Sequence, residues 1–232
     1  VFTANPQIVS KARKMDKVSF EEMLEMASLG AKVLQTRSVE MAMKNNVTIQ
    51  VLSSFDQSIG SDLKGTLVTR EEDIVEQEIV NGITYTEDEA KITLTHVPDK
   101  PGMAARIFGP LARSNINVDM IVQNVSQDGE STDVTFTVMR HDLDRAVETL
   151  KSCDDLKDTE IQTNKNIVKV SVVGIGMKSH AGVALKMFDA LSEKGINIDV
   201  ISTSEIKISV LIAAEYAELA VRTLHSAYGL DK

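Results

Sequence analysis

An internal repeat is the sequence feature that most constrains the fold of this chain. Residues 102–119 match residues 182–199 at a constant spacing of 80 positions, from the glycine that opens each run to the aspartate that closes it. The strands before these runs begin at Lys91 and Lys169, which lie 78 positions apart, so the copies differ by two residues in the next loop. Such a repeat predicts two copies of one small domain in tandem.

The copies also differ in the hairpin that follows the closing aspartate. Residues 131–138 match residues 203–210 at a spacing of only 72 positions, so the hairpin of the first copy is longer by eight residues. It contains Asp128-Gly129, a pair that is typical of tight turns between antiparallel strands. We therefore expect a hairpin turn at this pair.

Apolar residues in the predicted strands alternate with threonine, serine or lysine. The apolar positions are Ile92, Leu94, Val134, Phe136 and Val138 in the first copy, and Ile206, Ile208 and Val210 in the second. A period of two residues indicates a sheet with one buried face. We expect the other face to stay polar or to meet a partner.

Each copy also contains two segments with helical spacing of apolar residues. These residues are Ile107, Phe108, Leu111, Ala146, Val147 and Leu150 in the first copy, and Met187, Phe188, Leu191, Ala220, Val221 and Leu224 in the second. The resulting apolar stripes would cover the buried sheet face. Each copy is therefore predicted to be a βαββαβ unit of the α/β (α+β) class, an antiparallel sheet with both helices on one side. Its bare face or edge strands favour pairing with another copy.

Composition argues against nucleic acid and membrane as partners. The formal net charge is −9, and no stripe of basic residues is present that would follow phosphates. RNA-binding domains share the βαββαβ outline, but they stack bases on aromatic residues of the sheet, and here the strands offer little besides Phe136. No apolar run approaches the length of a membrane span, and the single Cys153 fits a reducing compartment. We therefore expect a cytoplasmic protein.

The first segment, residues 1–76, has a different pattern. Ser19 is followed by acidic residues, which predicts the start of a helix. Gly30 predicts a break, residues 33–43 a second helix, and residues 47–52 a buried strand. Two helices and one strand without partners of their own indicate a piece of a larger α/β domain.

Six segments of the chain closely resemble the C-terminal half of bacterial aspartate kinase. They are Val1-Phe-Thr-Ala-Asn-Pro6, Ser19-Phe-Glu-Glu-Met-Leu-Glu-Met26, Gly30-Ala-Lys-Val-Leu34, Asp119-Met-Ile-Val-Gln-Asn-Val-Ser126, Gly176-Met-Lys-Ser-His180 and Ile201-Ser-Thr-Ser-Glu-Ile206. The resemblance implies that residues 1–76 are the tail of an amino-acid kinase domain with a linker. It also implies that residues 77–164 and 165–232 are tandem ferredoxin-like ACT domains, which are regulatory modules that sense amino acids.

The activity implied by the resemblance is phosphoryl transfer from ATP, with Mg, to L-aspartate. The product is 4-phospho-L-aspartate, at the start of lysine, threonine and methionine biosynthesis. The family's Lys-Phe-Gly-Gly-Thr motif, which handles phosphates, does not occur in this sequence, so we expect the chain alone to be inactive. Because the first segment resembles a kinase tail, homoserine dehydrogenase, another ACT-regulated enzyme, is disfavoured. We expect a truncated gene product or a partial sequence rather than a natural regulatory subunit.

The resemblance also implies that the first residues form one edge of the nucleotide site. The residues carried over are Phe2, Thr3, Ala4 and Pro6. The family usually has aspartate where this chain has Asn5, which puts a charge-dependent role in doubt. From the sequence alone, Asn-Pro favours an ordinary turn instead.

Effector sites are expected where a helix begins. A free amino acid presents a carboxylate that needs N–H donors, and the first N–H groups of a helix lack internal partners. By resemblance, the effector-binding residues of the first copy are Asp99, Gly102, Ala104, Asp119, Gln123 and Asn124. Those of the second copy are Met177, Ser179, His180, Gly182, Val183, Asp199, Thr203, Ser204 and Glu205. The family usually has proline at the position of Ala181, so this loop is expected to be slightly looser.

Several of these residues have a structural alternative. Asp119 and Asp199 could end a turn and cap backbone groups, and Asp99 could cap a helix. Met177 could fill a core. Gly174-Ile-Gly176 lacks the third glycine of a dinucleotide fingerprint and is expected to be a loop. The histidines and the cysteine show no metal-binding spacing, so we predict no metal site.

Regulation is the function that the resemblance assigns to the two repeats. Lysine, threonine or both are the expected effectors, and the ACT domains of two chains are expected to pair into a dimer or a heterotetramer. An effector of this kind inhibits only through its different affinity for two states of the protein. Two alternatives stay open: a stand-alone, non-catalytic amino-acid sensor, and a plain dimerisation module.

Overall fold

The computed structural model describes residues 1–54, 64–74, 78–125, 131–157, 159–180 and 182–232. The predicted turn at Asp128-Gly129 and the predicted domain limit at 76 lie outside these residues. The chain divides into two compact units. The first comprises residues 1–86, 170–199 and 203–232, and the second comprises residues 87–169 and 200–202.

Six α-helices and eleven strands form the described part of the chain. The helices are α1 Phe20–Ser28, α2 Thr36–Lys44, α3 Met103–Arg113, α4 Leu143–Lys151, α5 Val183–Ser192 and α6 Ala217–Ala227. The strands of the first segment and its linker are β1 Lys17–Ser19, β2 Ile49–Val51, β3 Thr66–Thr69 and β4 Gly82–Thr86. The strands of the repeats are β5 Glu89–Pro98, β6 Val118–Val125, β7 Ser131–Met139, β8 Glu160–Asn164, β9 Ile167–Val173, β10 Val200–Thr203 and β11 Lys207–Ala213.

The first copy forms the predicted βαββαβ unit. Its four strands pair in the order β6-β7-β5-β8, and the pairs are antiparallel. Buried residues alternate along β5 and β7, which confirms that one sheet face is covered. Phe108 of α3 packs edge-on against Phe136 of β7, with ring centroids 5.2 Å apart. This geometry is favourable for aromatic pairs.

The second copy takes its fourth strand from another part of the chain. Its sheet has the order β10-β11-β9-β4, so β4 occupies the edge position beside β9 that β8 holds beside β5. The strand β4 precedes the first copy in the sequence, within the range 77–164 predicted for the first ACT domain. A domain boundary at residue 77 would therefore assign β4 to the first ACT domain, although β4 pairs with the sheet of the second.

The central strands of the second sheet are buried on both faces. Every residue of β9 is buried, and so are the five middle residues of β11. The polar residues that alternation placed on an open face are therefore enclosed, and they are paired: Ser171 and Ser209 share a hydrogen bond of 2.7 Å. The second face of this sheet is therefore covered within the chain, whereas the sequence predicted a face that stays polar or meets a partner.

The first segment has partners that the sequence did not reveal. β3 lies between β1 and β2, parallel to β1 and antiparallel to β2, so the prediction of a strand without partners is wrong. The strand predicted over 47–52 is shorter, Ile49–Val51, and none of its three residues is buried, so the prediction of a buried strand is wrong. The second helix begins at Thr36 rather than at residue 33.

The predicted start of α1 at Ser19 is confirmed. The Ser19 hydroxyl accepts a hydrogen bond from the Glu22 backbone N–H, and the Glu22 carboxylate accepts one from the Ser19 N–H. This reciprocal arrangement satisfies two N–H groups that the helix itself leaves unpaired. The helix ends at Ser28, before Gly30, as predicted.

Replacing Ser19 with alanine should lower the free energy of unfolding by about 1 kcal/mol, because the cap at a fully buried site is lost. Urea unfolding followed by circular dichroism measures the change. Ser28→Ala, at the exposed end of the same helix, is the matched control and should change the free energy by less than about 0.5 kcal/mol. Equal effects of the two substitutions would contradict a special role of the cap.

Candidate functional site

A cavity of about 520 Å³ lies in the second copy, within the first compact unit. One wall is the loop after β9 and the first turn of α5, and the other wall is the hairpin between β10 and β11. The residues that line it are Met177, His180, Gly182, Val183, Ala184, Thr203, Ser204, Glu205 and Ile208.

Seven of the nine predicted effector residues of the second copy line this cavity. Asp199 is exposed and not among the lining residues, and its backbone N–H donates to the Leu211 carbonyl at 2.8 Å. The side chain of Ser179 lies outside what the structure describes. Ala184 and Ile208 also line the cavity but were not predicted. Ala184 follows Val183 in the first turn of α5, and Ile208 lies in β11, three positions after Glu205. The helical and strand periods could therefore have identified both residues.

The start of α5 provides hydrogen-bond donors at the cavity. Gly182 is the N-cap residue, with φ 91°, and no side chain caps this end of the helix. A Cβ atom at Gly182 would meet nothing within 4 Å, so the glycine is required by its backbone conformation rather than by space. The leading N–H groups and the positive end of the helix dipole favour a carboxylate here.

The opposite wall provides acceptors. Thr203, Ser204 and Glu205 carry two hydroxyl groups and one carboxylate to the cavity. The hairpin is held by a hydrogen bond from the Ser204 N–H to the Lys207 carbonyl at 2.9 Å. Met177 and Ile208 add apolar surface, so the cavity combines a donor end, an acceptor wall and an apolar side.

Two contacts shape the wall on the α5 side. His180 Nδ1 donates to the Gly176 carbonyl at 2.8 Å, which ties the loop to itself. The Tyr228 hydroxyl donates to the Val183 carbonyl at 2.7 Å, and Lys186 Nζ lies 5.4 Å from the centre of the Tyr228 ring. Burial raises the pKa of Tyr228, which keeps this hydroxyl protonated as a donor.

The first copy has the same kind of helix start as the second. Gly102 caps α3 with φ 90°, matching Gly182, and Ala104 follows in the first turn. Asp99 is exposed in the preceding loop and is not the cap, which corrects that alternative. Gln123 and Asn124 are exposed on β6, and the Asn124 carbonyl accepts from the Thr132 hydroxyl at 2.9 Å.

Asp119 binds a buried lysine. Lys169 is 3% exposed, and its ammonium lies 2.7 Å from the Asp119 carboxylate and also contacts the buried Glu89 carboxylate. Burial lowers the pKa of Lys169, but the two carboxylates outweigh burial and hold the pKa above its usual value. Asp119 also accepts a hydrogen bond from the Met120 N–H at 2.8 Å, as the structural alternative predicts.

Replacing Lys169 with methionine should lower the free energy of unfolding by about 3 kcal/mol, because Glu89 is left buried without its cation. Guanidinium unfolding near neutral pH measures the loss. The raised pKa means that the wild-type contribution is present below pH 10.5 and is lost as pH rises through the folded-state value. Lys165→Met, which removes an exposed pair with Asp144, is the control and should cost less than about 1 kcal/mol. A similar loss in both variants would contradict this account.

The predicted nucleotide edge forms a turn that is attached to α6. Thr3 is buried, and its hydroxyl lies 2.9 Å from His225 Nε2 and accepts from the Arg13 N–H at 3.0 Å. Ala4 is buried, whereas Phe2 is 42% exposed and Pro6 is exposed. The Asn5 carboxamide oxygen accepts from the Gln7 N–H at 3.0 Å, so the predicted Asn-Pro turn is present.

Burial lowers the pKa of His225, with Arg13 acting in the same direction and Asp231 opposing it. Because the folded-state pKa is depressed, the unfolded chain binds the proton more readily, and stability should fall as pH drops from about 6.5 towards the folded-state value. His225→Gln should make the difference in free energy of unfolding between about pH 7.5 and about pH 5.5 smaller than in the wild type. Urea titrations at the two pH values measure it, and an unchanged difference would show that His225 is not the responsible group.

The described residues contain no group of three or more histidine, cysteine, aspartate or glutamate side chains that could hold a metal ion. None of the helices in the described ranges is long and apolar enough to cross a membrane.

Comparison with known proteins assigns the chain to a family. Residues 1–53 match the amino acid kinase family, and residues 91–155 and 170–228 each match the ACT domain. The regulatory subunit of aspartate kinase from Thermus thermophilus is 41% identical, with a TM-score of 0.61 over 65% of this chain and 99% of that chain. The chain belongs to the aspartokinase family. The predicted family and the predicted tandem ACT folds are thus confirmed.

Longer aspartokinases match the whole chain. An aspartokinase from Pseudomonas aeruginosa is 53% identical over all of this chain and 55% of its own length. Aspartokinase III of E. coli, solved in complex with lysine and aspartate, is 26% identical with a TM-score of 0.77, over 99% of this chain and 49% of that chain. The chain therefore spans about half the length of the aspartokinases that it matches in full.

Proposed function

We propose that this chain is the regulatory portion of an aspartate kinase and that the cavity of the second copy binds a feedback amino acid. The observation that carries the proposal is the pairing of donors at the start of α5 with acceptors on the facing hairpin. A free amino acid requires both at once, since it presents a carboxylate and an ammonium group a few ångströms apart.

Lysine is the effector that this cavity favours. The α-carboxylate would lie at the start of α5, and the hydroxyls of Thr203 and Ser204 would meet the α-ammonium. Glu205 provides the negative charge that a second ammonium requires, and Met177 can contact the methylene chain. The E. coli relative solved with lysine supports this choice. Threonine is the second candidate, because the same hydroxyl groups can bond its side-chain hydroxyl.

For the whole enzyme, the proposed reaction is phosphoryl transfer from ATP, with Mg, to the β-carboxylate of L-aspartate. An E. coli aspartokinase III structure with aspartate and ADP supports the assignment of nucleotide and substrate. One edge of the nucleotide site would be formed by Phe2, Thr3, Ala4 and Pro6. Phe2 presents an exposed ring there, and the hydrogen bond between the Thr3 hydroxyl and His225 fixes the local backbone.

We further propose that the chain acts in the cytoplasm and self-associates through the first copy. β6 is an edge strand of the sheet that the described residues form, and its Ile121 and Val122 are 52% and 37% exposed, so they offer apolar surface that pairing with another copy would cover. Nucleic acid is not a proposed partner, since the net charge is −9. The alternative functions remain a stand-alone sensor and a dimerisation module that needs no amino acid.

Thermal unfolding with added amino acids tests the proposed site. L-lysine at 100 times its dissociation constant should add about 2.7 kcal/mol to the free energy of unfolding. Glu205→Gln should weaken the stabilisation by lysine, because one ammonium loses its charged partner. The matched control is Glu215→Gln, at an exposed glutamate before α6, which should leave the stabilisation unchanged.

Three outcomes separate the candidate functions. Stabilisation by L-threonine alone, unaffected by Glu205→Gln, would reassign the effector within the same proposal. No stabilisation by either amino acid would contradict a sensing role of this chain. Dimerisation that sedimentation shows to be independent of both amino acids would then favour the dimerisation module.

A further inference from the structure

Both walls of the cavity are attached to one helix outside the second copy. Glu22 and Glu25 lie three residues apart on α1, so their side chains project from the same face. Glu22 Oε1 accepts a hydrogen bond from the Ile175 N–H at 2.9 Å, at the start of the loop that forms one wall. Glu25 Oε2 lies 3.0 Å from Lys207 Nζ, at the end of the hairpin that forms the other wall. All of these residues belong to the first compact unit.

The contact to the first wall is a rigid one. Glu22 is 1% exposed, and besides Ile175 it accepts from Asn81 Nδ2 at 2.6 Å, from the Ser19 hydroxyl at 2.9 Å and from the Ser19 N–H at 3.2 Å. Four donors and the start of α1 compensate its buried charge. Because these donors come from three separate parts of the chain, at Ser19, Asn81 and Ile175, the carboxylate fixes the position of Ile175 relative to α1.

The contact to the second wall continues into the hairpin. The side chains of Lys207 and Glu25 are about a quarter exposed, at 24% and 26%. The backbone carbonyl of Lys207 accepts from the Ser204 N–H, and Ser204 lines the cavity. A displacement of this hairpin therefore moves Lys207 and, through the ion pair with Glu25, displaces α1.

We propose that Glu22 and Glu25 are positioning residues of the cavity, which together set the distance between its two walls. A molecule that draws the walls together or forces them apart then shifts α1, a helix of the amino-acid kinase segment. By linkage, the position of α1 changes the affinity of the cavity by the same factor. The part of this inference that concerns a bound amino acid rests on the proposed function, whereas the attachment of both walls to α1 does not.

Hydrogen exchange of the ligand-free chain tests the attachment. Lys207→Met should speed amide exchange in the hairpin 203–207 and also in the loop 175–180 on the opposite wall, because α1 joins the two. Glu25→Gln should produce the same pattern. The matched control is Glu218→Gln, which removes the carboxylate of an exposed pair with Arg222 on α6 and should change neither segment. Faster exchange confined to the hairpin would overturn the proposal.

Affinity measurements with L-lysine and L-threonine test the consequence for binding. For whichever amino acid the wild type binds, Lys207→Met and Glu25→Gln should each lower the affinity about fivefold or more, and the double variant should be no weaker than either single variant. Losses that multiply in the double variant, or an unchanged affinity in both, would overturn the proposal. Absence of binding to the wild type would instead contradict the proposed function, and the exchange pattern would still decide whether α1 holds both walls.

Discussion

The buried carboxylate of Glu22 is the interaction on which the first compact unit depends. It closes the capping box of α1, bonds the linker through Asn81 and bonds the second copy through the Ile175 N–H. A charge at this depth is tolerated only when donors surround it, and three separate parts of the chain provide them. The kinase segment and the second copy are thereby held together by one polar cluster in addition to their apolar contacts.

A strand from the linker reinforces that connection. The linker strand β4 completes the second sheet, while Val173 of β9 packs in the same apolar cluster as residues of α1 and β1. The Thr3 hydroxyl lies 2.9 Å from Nε2 of His225 on α6, and the Arg13 side chain donates to the Leu230 carbonyl just after α6. These contacts attach the last helix to the rest of the unit. The first copy, in contrast, has a complete sheet of its own and a separate core. The two repeats therefore share a fold but differ in what they need from the rest of the chain.

The sequence predicted the features that local chemistry determines. The cap at Ser19, the helix starts at Gly102 and Gly182, and the placement of seven residues around one cavity all follow from spacing, turn preference and resemblance. It could not predict that β4 pairs with the second sheet, since alternation identifies a strand and not its neighbour. Nor could it predict the roles of Glu22 and Lys169, because acidic residues in a first helical turn and lysines in a strand are most often solvated.

If Glu22 and β4 hold the kinase segment and the second copy together, these two parts of the chain must unfold together. Native-state hydrogen exchange in increasing denaturant measures this directly, because it gives a free energy of opening for individual amides. The slowest amides of α1 and of β9 should then exchange with the same free energy and the same dependence on denaturant. Exchange of α1 at a distinctly lower free energy, with β9 still protected, would show that the kinase segment is only loosely attached and would contradict the account.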